Sequence, residues 1–440
     1  MKKTTKKIIV YILTFLAKRM LVKHHPEIIA ITGSFGKTST KAAISLVLKK
    51  RFRVLSPQRS YNTEIGIPLA IFNEEVPYPL YSLLGWGKVI LRMIKKLFST
   101  KRYYQKLVLE VGADAPGDIK HIMSFIKPKI GVVTGIGVAH IGNFKNSDEI
   151  AKEKETLIKS LGKDGWAILN YDNKYSKEMA KKSQAKVVYF GEKTGSDFQA
   201  AGIKNTLYGL SFGVSFDPLI FKEDLESEVK KITKPVKTSI FGEHFIYSIL
   251  PAIIVGMIYK MSFDEIAQVL KDLNNLKGRM NMILGIRGSL IIDDSYNANP
   301  ESTIGALKSL TLLKTKGRKI VALGTMNELG DYTEKGHQQV GSEVAKVADV
   351  LITVGEEARK FLATEAHKKG LSRNRIFCFA NSQDAGQFLR NFIVPNDVIL
   401  AKGSQNNIRM EWLVREIMAK PEQAKNLLVR QSKEWKDKTP

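Results

Sequence analysis

The residues best equipped for chemistry are Gly33-Ser34-Phe35-Gly36-Lys37-Thr38, set between an apolar run (Glu27 to Thr32) and a helical pattern that opens at Lys37. Glycines allow a tight backbone whose N–H groups, backed by a helix terminus, hold phosphate oxygens. The lysine adds charge and the threonine hydroxyl can ligate magnesium. A full phosphate-loop consensus has glycine where this chain has Ile31, so this is the shortened form G-x-x-G-K-T. Its strand, loop and helix setting favours nucleotide binding over an ordinary glycine turn. Two further candidates stand at strand ends. Glu110 closes KLVLE, and His140 follows TGIGVA. Either alone is more often structural. Beside a phosphate loop, where magnesium needs ligands, the balance tips toward function.

These residues need a sheet to hold them. EIIAIT, KLVLEVG (106–112), IGVVTGI (130–136), WAILNYD (166–172) and VVYFG (187–191) alternate with helical stretches, the pattern of a mostly parallel sheet covered by helices. Between Asp197 and Gly242 the alternation in LYGLSFGVSF predicts a small antiparallel side sheet. After Lys277 and Gly278 a second run of strands begins, LIIDD, KIVALG, DVLITVG, RIFCFA and DVILAKG, each followed by a helical pattern, which predicts a separate doubly wound domain. The fold class is therefore α/β: a phosphate-loop ATPase centre with a mostly parallel sheet (27–278), a Rossmann-like α/β domain (279–440), and a short N-terminal helix (1–26) before them.

Composition bounds the reading. With 440 residues, 44% hydrophobic and 25% charged, the chain is neither disordered nor a multi-span membrane protein. Its one cysteine, Cys378, excludes an intrachain disulfide framework and a cysteine zinc site, and reads as a small buried hydrophobe. A net charge of +26 favours anionic partners. Nucleic acid is set aside because no DNA or RNA module accompanies the charge. The uncharged run Ile8 to Ala17 is too short to span a bilayer, which takes ~20 residues, and no small-residue cleavage site follows it. It is either a helix packed on the next domain or a basic helix on an anionic membrane. The stretch 77–105 interleaves Leu83, Leu84, Val89, Leu91 and Phe98 with Lys88, Arg92, Lys95 and Lys96. It reads as an interfacial helix, or as an insertion covering its own domain.

Eight blocks then carry a resemblance in order: GSFGKTST, NTEIGIPL, LEVGADAPGDI, GVAHIGNFKNSDEIAKEKETLI, KGRM, DDSYNANPES, LGTMNELG and AKGSQNNIRMEWLV. From Glu27 to Met418 the chain resembles the MurF branch of the Mur ligase family, ATP-dependent enzymes of peptidoglycan synthesis and hence of cell-wall biogenesis, cell shape and division. The resemblance implies a cytoplasmic, monomeric ligase that adds D-Ala-D-Ala to a muramoyl-tripeptide through an acyl phosphate. A related amino-acid ligase with a different or lipid-linked acceptor is the alternative. It implies ATP held by Gly33, Ser34, Phe35, Gly36, Lys37, Thr38 and Ser39, with His244, Arg279, Asp294, Asn297 and Asn299 completing the nucleotide site. Thr38, Glu110, His140 and Lys154 would hold two magnesium ions, Lys154 as a carbamylated lysine. Lys37, His140 and Lys154 would serve catalysis. Asn62, Thr63, Glu64, Lys402, Ser404 and Arg409 would contact the peptide substrates, and Lys277 to Arg279 would be the hinge between domains.

The chain departs from the branch's pattern in three places. The separate UDP-binding N-terminal domain has no counterpart before Glu27. Both asparagines of G-x-H-N-x-x-N are replaced, by Phe245 and Ser248, so that Phe245 is expected to stack where an amide would bond. The 77–105 insertion is longer than usual. The first and third departures together raise a peripheral place on the inner membrane face.

Overall fold

The computed structural model describes residues 3–57, 61–99, 103–137, 143–221, 231–432 and 435. The chain enters through α1 (Lys3–His24), whose Ile9, Leu13, Leu16, Ala17 and Met20 recur at helical spacing and are buried. It continues through β1 (Glu27–Thr32), α2 (Lys37–Leu48), β2 (Val54–Leu55), α3 (Gly66–Phe72), α4 (Leu83–Phe98), β3 (Lys106–Glu110), α5 (Asp118–Met123), β4 (Ile130–Val133), α6 (Ser147–Lys159), β5 (Trp166–Asn170), α7 (Ser176–Lys181) and β6 (Lys186–Gly191). Six strands lie parallel in the order β2-β3-β1-β4-β5-β6. Helices cover both faces, which is why β1, β3 and β4 are unbroken apolar runs rather than alternating ones.

Three more strands, β7 (Phe198–Thr206), β8 (Gly209–Phe216) and β9 (Ile232–Thr238), correct the expected side sheet. They extend the same sheet to nine strands, because β7 continues from β6 in parallel pairing at Phe190–Phe198, and β8 and β9 then add antiparallel. Their inward rings explain this. Phe198 and Phe216 stack at 5.2 Å, and Phe216 on Phe263 at 5.1 Å, within the core that also holds β1 and α2, so these strands have no core of their own. Two helices close this half, the apolar α8 (Ile246–Ile258) against α2, and α9 (Phe263–Leu270).

The second sheet contains β10 (Asn281–Leu284), β11 (Leu290–Asp294), β12 (Lys319–Gly324), β13 (Val350–Val354), β14 (Ile376–Phe379) and β15 (Val398–Lys402), with α10 (Pro300–Thr311) after β11. Its order is β10-β11-β15-β12-β13-β14, parallel except for β10. Placing β15 between β11 and β12 brings Asp294, Lys402 and Gly324 together at carboxyl ends, where open α/β sheets bind ligands. Cys378 is exposed, not buried. On edge strand β14 its neighbours Phe377 and Phe379 turn inward against Phe388, at 4.7 and 5.3 Å, which leaves the thiol on the other face.

Candidate active site

β1 delivers the chain to Gly33, whose φ of +150° is paired with an approach that admits no side chain: a Cβ there would lie 2.0 Å from Thr134 Oγ1. Gly36, at φ +77°, turns the backbone into α2. The loop is pinned to the segment leaving β4. Ser34 N–H donates to the Gly135 carbonyl (2.8 Å), Ser34 Oγ to that of Gly137 (3.1 Å), and Thr134 Oγ1 to that of Phe35. Lys37 Nζ donates back to the Gly33 carbonyl at 2.6 Å. Burial pushes its pKa below the ordinary lysine range, while Glu110 pulls the other way. Ser39 follows, buried, in the first turn of α2.

Pairing of β3 with β1 sets Glu110 beside Ile31, under the loop. One carboxylate oxygen accepts from Thr38 Oγ1 (3.2 Å), and the other ion-pairs with Lys41 Nζ (2.8 Å), a lysine one turn beyond Lys37 that also donates to the Pro57 carbonyl (2.6 Å). Lys41 was missed in the sequence because its partner is distant in the chain. The only signal was a second lysine four residues after the first. Among the described residues no three His, Cys, Asp or Glu side chains form a metal cluster. Magnesium needs no such cluster beside a nucleotide: one or two carboxylates complete a shell whose other ligands are phosphates and waters. The adjacent Thr38 hydroxyl and Glu110 carboxylate fit it as hard oxygen donors.

Lys154 lies on α6, 4% exposed. Burial, and after it the charge of Lys37, bring its pKa down to about 7, against the opposing pull of Glu153 and Asp114. Its neighbour Glu153 explains the position. That buried carboxylate accepts from Gly117 N–H (2.8 Å) and Ile119 N–H (2.7 Å), capping α5 and locking α6 to the loop that follows Glu110. His140 lies outside the described residues. Asn62 packs on Gly112, whose N–H donates to the Asn62 carbonyl (2.9 Å). Thr63 Oγ1 accepts from Gly66 N–H at the start of α3 (3.3 Å), and Glu64 pairs with Lys6 of α1 at 2.7 Å.

The second domain presents its own groups to this loop. Arg279 stacks at 4.0 Å over Tyr296, and its buried Nε has no partner among the described residues. Its charge reaches Lys37, His244 and Lys402. Two adjacent carboxylates hold the backbone on either side of it: Gly278 N–H donates to Asp293 (3.1 Å) and Met280 N–H to Asp294 (3.2 Å). His244 sits against Gly305 of α10 and is driven to a pKa of about 4 by burial, hence neutral. Phe245, expected to stack where an amide would bond, is buried. It is 4% exposed, set in the core beside the His244 ring at 4.4 Å. Ser248, at the second replaced asparagine, accepts from Thr40 of α2 (3.2 Å) and so braces the loop helix.

The remaining candidates are held by the protein itself. Lys402, 1% exposed, donates to Asp294 (2.7 Å) and to the Asn297 carbonyl (2.9 Å). Asn297 bonds Ala298 N–H, and Asn299 caps α10 in a reciprocal pair with Ser302. Ser404 Oγ accepts from Asn327 N–H (2.7 Å). Arg409, 3% exposed, pairs with Glu411 (2.6 Å) and stacks on Trp412 (4.5 Å). The geometry thus gathers Lys37, Thr38, Glu110 and Lys154 around the loop, with Arg279 from the other side, and leaves Lys402, Ser404 and Arg409 buried in the second domain.

Residues 90–256 match the Mur ligase middle domain and residues 278–405 the Mur ligase glutamate ligase domain. The Bacillus subtilis UDP-N-acetylmuramoyl-tripeptide–D-alanyl-D-alanine ligase is 27% identical over 92% of this chain and 79% of its own. The Escherichia coli enzyme of that name is 28% identical over 89% and 76%. A crystal structure of MurF from Acinetobacter baumannii superposes with a TM-score of 0.75 at 25% identity, over 91% of this chain and 79% of that one. MurF from Thermotoga maritima, solved in complex with ADP, shares the fold at a TM-score of 0.73, 23% identity, and 95% and 84% coverage. With both characteristic domains matched in order along the chain, the protein belongs to the Mur ligase family.

Proposed function

We propose that this chain is an ATP-dependent peptide ligase of peptidoglycan precursor synthesis that adds D-Ala-D-Ala to a muramoyl-tripeptide, acting as a cytoplasmic monomer whose working units, 27–278 and 279–440, hinge at Lys277 to Arg279. The observation that carries the reading is the convergence of Lys37, Thr38 and Glu110 from one domain with the unpartnered Arg279 Nε from the other. An anion bridging two domains is what such a seam is built to hold. The names borne by relatives that cover most of the chain supply the substrate pair.

In this reading the phosphate loop and Arg279 orient ATP so that the tripeptide carboxylate meets the γ-phosphorus in line. The carboxylate oxygen forms a bond to phosphorus as the bond to ADP breaks, giving an acyl phosphate. The amine of D-Ala-D-Ala then attacks the acyl carbon, loses a proton and expels phosphate. Magnesium, held by Thr38 and Glu110, would supply charge neutralisation on the phosphates. Lys37 shares that task throughout, so positioning and electrostatics carry the catalysis. Lys41, paired with Glu110, keeps the carboxylate fixed.

Lys154 fits a further role. A pKa near 7 leaves much of its amine neutral and nucleophilic at physiological pH. The lone pair on Nζ attacks carbon dioxide, a proton departs, and a carbamate replaces a cation that burial beside Lys37 disfavours. In this reading Asn62, Thr63 and Glu64, near the loop after Glu110, would meet the acceptor peptide. Lys402, Ser404 and Arg409 would act on the incoming dipeptide by fixing the strand-end loops rather than by touching it.

The test is trapping of the acyl phosphate. Acceptor and ATP without D-Ala-D-Ala should trap an acyl hydroxamate in the presence of hydroxylamine, with one ADP formed per hydroxamate. ADP release independent of acceptor, with no hydroxamate, contradicts the reading.

A further inference from the structure

Among the described residues, twelve of the eighteen exposed large apolar side chains lie on α1, on α4 or in the residues flanking α4, while the other six are the neighbours Leu207 and Tyr208 and four scattered residues. Scattered apolar residues need no explanation, but a concentration of this kind marks an interaction surface. On α4, Leu84, Leu91 and Phe98 are 83%, 54% and 79% exposed, and with Lys88 and Lys95 they form one stripe at helical spacing. On α1, Ile8, Tyr11, Phe15 and Val22 form a second stripe flanked by Lys7, Lys18 and Arg19.

The stripes are rigidly displayed. The opposite face of α4 buries Trp86, Val89 and Met93, and Trp86 Nε1 donates to the Leu80 carbonyl (2.8 Å). Its flank is tied by Arg92 and Lys96 to Glu74, at 2.8 and 2.7 Å. Lys23 at the end of α1 donates to the carbonyls of Leu97 (2.6 Å) and Ser99 (2.7 Å) at the end of α4. The two helices therefore run side by side, both rest on one core cluster, and both turn their unburied faces outward.

We infer that α1 and α4 form a docking face for an anionic phospholipid bilayer. Charge chooses this occupant: neither helix contains an aspartate or glutamate, and both are studded with lysine and arginine. Basic side chains ringing exposed leucine, phenylalanine and tyrosine are the composition of a helix lying in the headgroup plane. No described helix is long and apolar enough to cross a membrane, so contact is at the surface. A cavity of 590 Å³ beside α1 has Tyr11 and Phe15 of the same stripe in its wall, with Lys7 and Lys18 as cations there and the Glu64 carboxylate, also in the wall, paired with Lys6 at 2.7 Å.

The experiment is flotation of the full chain with vesicles of equal parts phosphatidylglycerol and phosphatidylcholine, against phosphatidylcholine alone. The protein should float with the anionic vesicles only and be released by high salt. Leu84→Glu/Leu91→Glu/Phe98→Glu, three exposed positions, should abolish flotation with the melting temperature unchanged. Lys88→Glu/Lys95→Glu should weaken partitioning by more than about tenfold. No flotation with anionic vesicles, or equal flotation of the triple variant, overturns the inference. So does a concentration-dependent dimer that the triple variant breaks in the absence of vesicle binding, since the face would then belong to a second copy.

Discussion

Lys154 is a cation buried near another cation, and that arrangement has a measurable signature. Its folded pKa of about 7 lies below the ordinary lysine value of about 10.4, so between these limits the unfolded chain holds the extra proton. Stability contributed at this site therefore rises with pH through that window and is at its lowest below about pH 7. In buffer stripped of carbon dioxide, Lys154→Met should be more stable than the parent by roughly 2–4 kcal/mol at and below neutrality, with the gap closing as pH rises. Denaturant melts across pH check this, and a gap independent of pH would be wrong for a desolvated amine. Ligase turnover should fall more than about 100-fold in the same variant, and in the parent it should drop on removal of carbon dioxide and return with bicarbonate. Much at this scale was legible in the chain. Lys37, Thr38 and Glu110 stand where spacing and strand ends put them. Lys41 was not, nor was the capture of Lys402 by Asp294, because both ion pairs join residues far apart in sequence, the first brought together by the packing of α2 beside β3 and the second by the register of β11 on β15.

At the scale of elements, the phosphate loop is shaped by what leaves no room beside it. Gly33→Ala would force a Cβ into Thr134 Oγ1 and should raise the Kd for ATP by more than about tenfold with a lowered Tm. Calorimetric titration with ATP and magnesium reads the first and a thermal melt the second. Helix α6 is coupled to the loop after Glu110 through one carboxylate. Glu153→Ala removes the acceptor of two backbone N–H groups, that of Ile119 buried, and should cost about 1–3 kcal/mol while lowering turnover, since Lys154 shares that turn. Periodicity revealed nearly every parallel strand, because strands buried on both faces announce themselves as apolar runs. It failed for β7 to β9. Alternation in sequence says that one face is buried, not which core buries it, and the Phe198, Phe216 and Phe263 stack decides that. The exposed Cys378 was missed for a similar reason, since residue type does not tell which face of an edge strand it occupies.

For the molecule as a whole, the proposed activity draws on both sheets, since the charge of Arg279 reaches Lys37 of the phosphate loop. Arg279 is the cation offered from the second domain, and the pair Asp293 and Asp294 fixes the backbone on either side of it. Arg279→Ala should raise the KM for ATP at least about tenfold, with a smaller effect on the KM for either peptide substrate, because it removes a charge-assisted contact at one end of the seam. Steady-state kinetics with each substrate varied in turn separates these. The most direct measurement is product formation by purified protein supplied with ATP, magnesium, D-Ala-D-Ala and a muramoyl-tripeptide, UDP-linked in one arm and lipid-linked in another, followed by mass spectrometry and phosphate release. One pentapeptide product and one phosphate per ATP, with both peptide substrates required, is the predicted result. Phosphate release that ignores either peptide, or coupling of a different amino acid in place of D-Ala-D-Ala, would contradict the assignment.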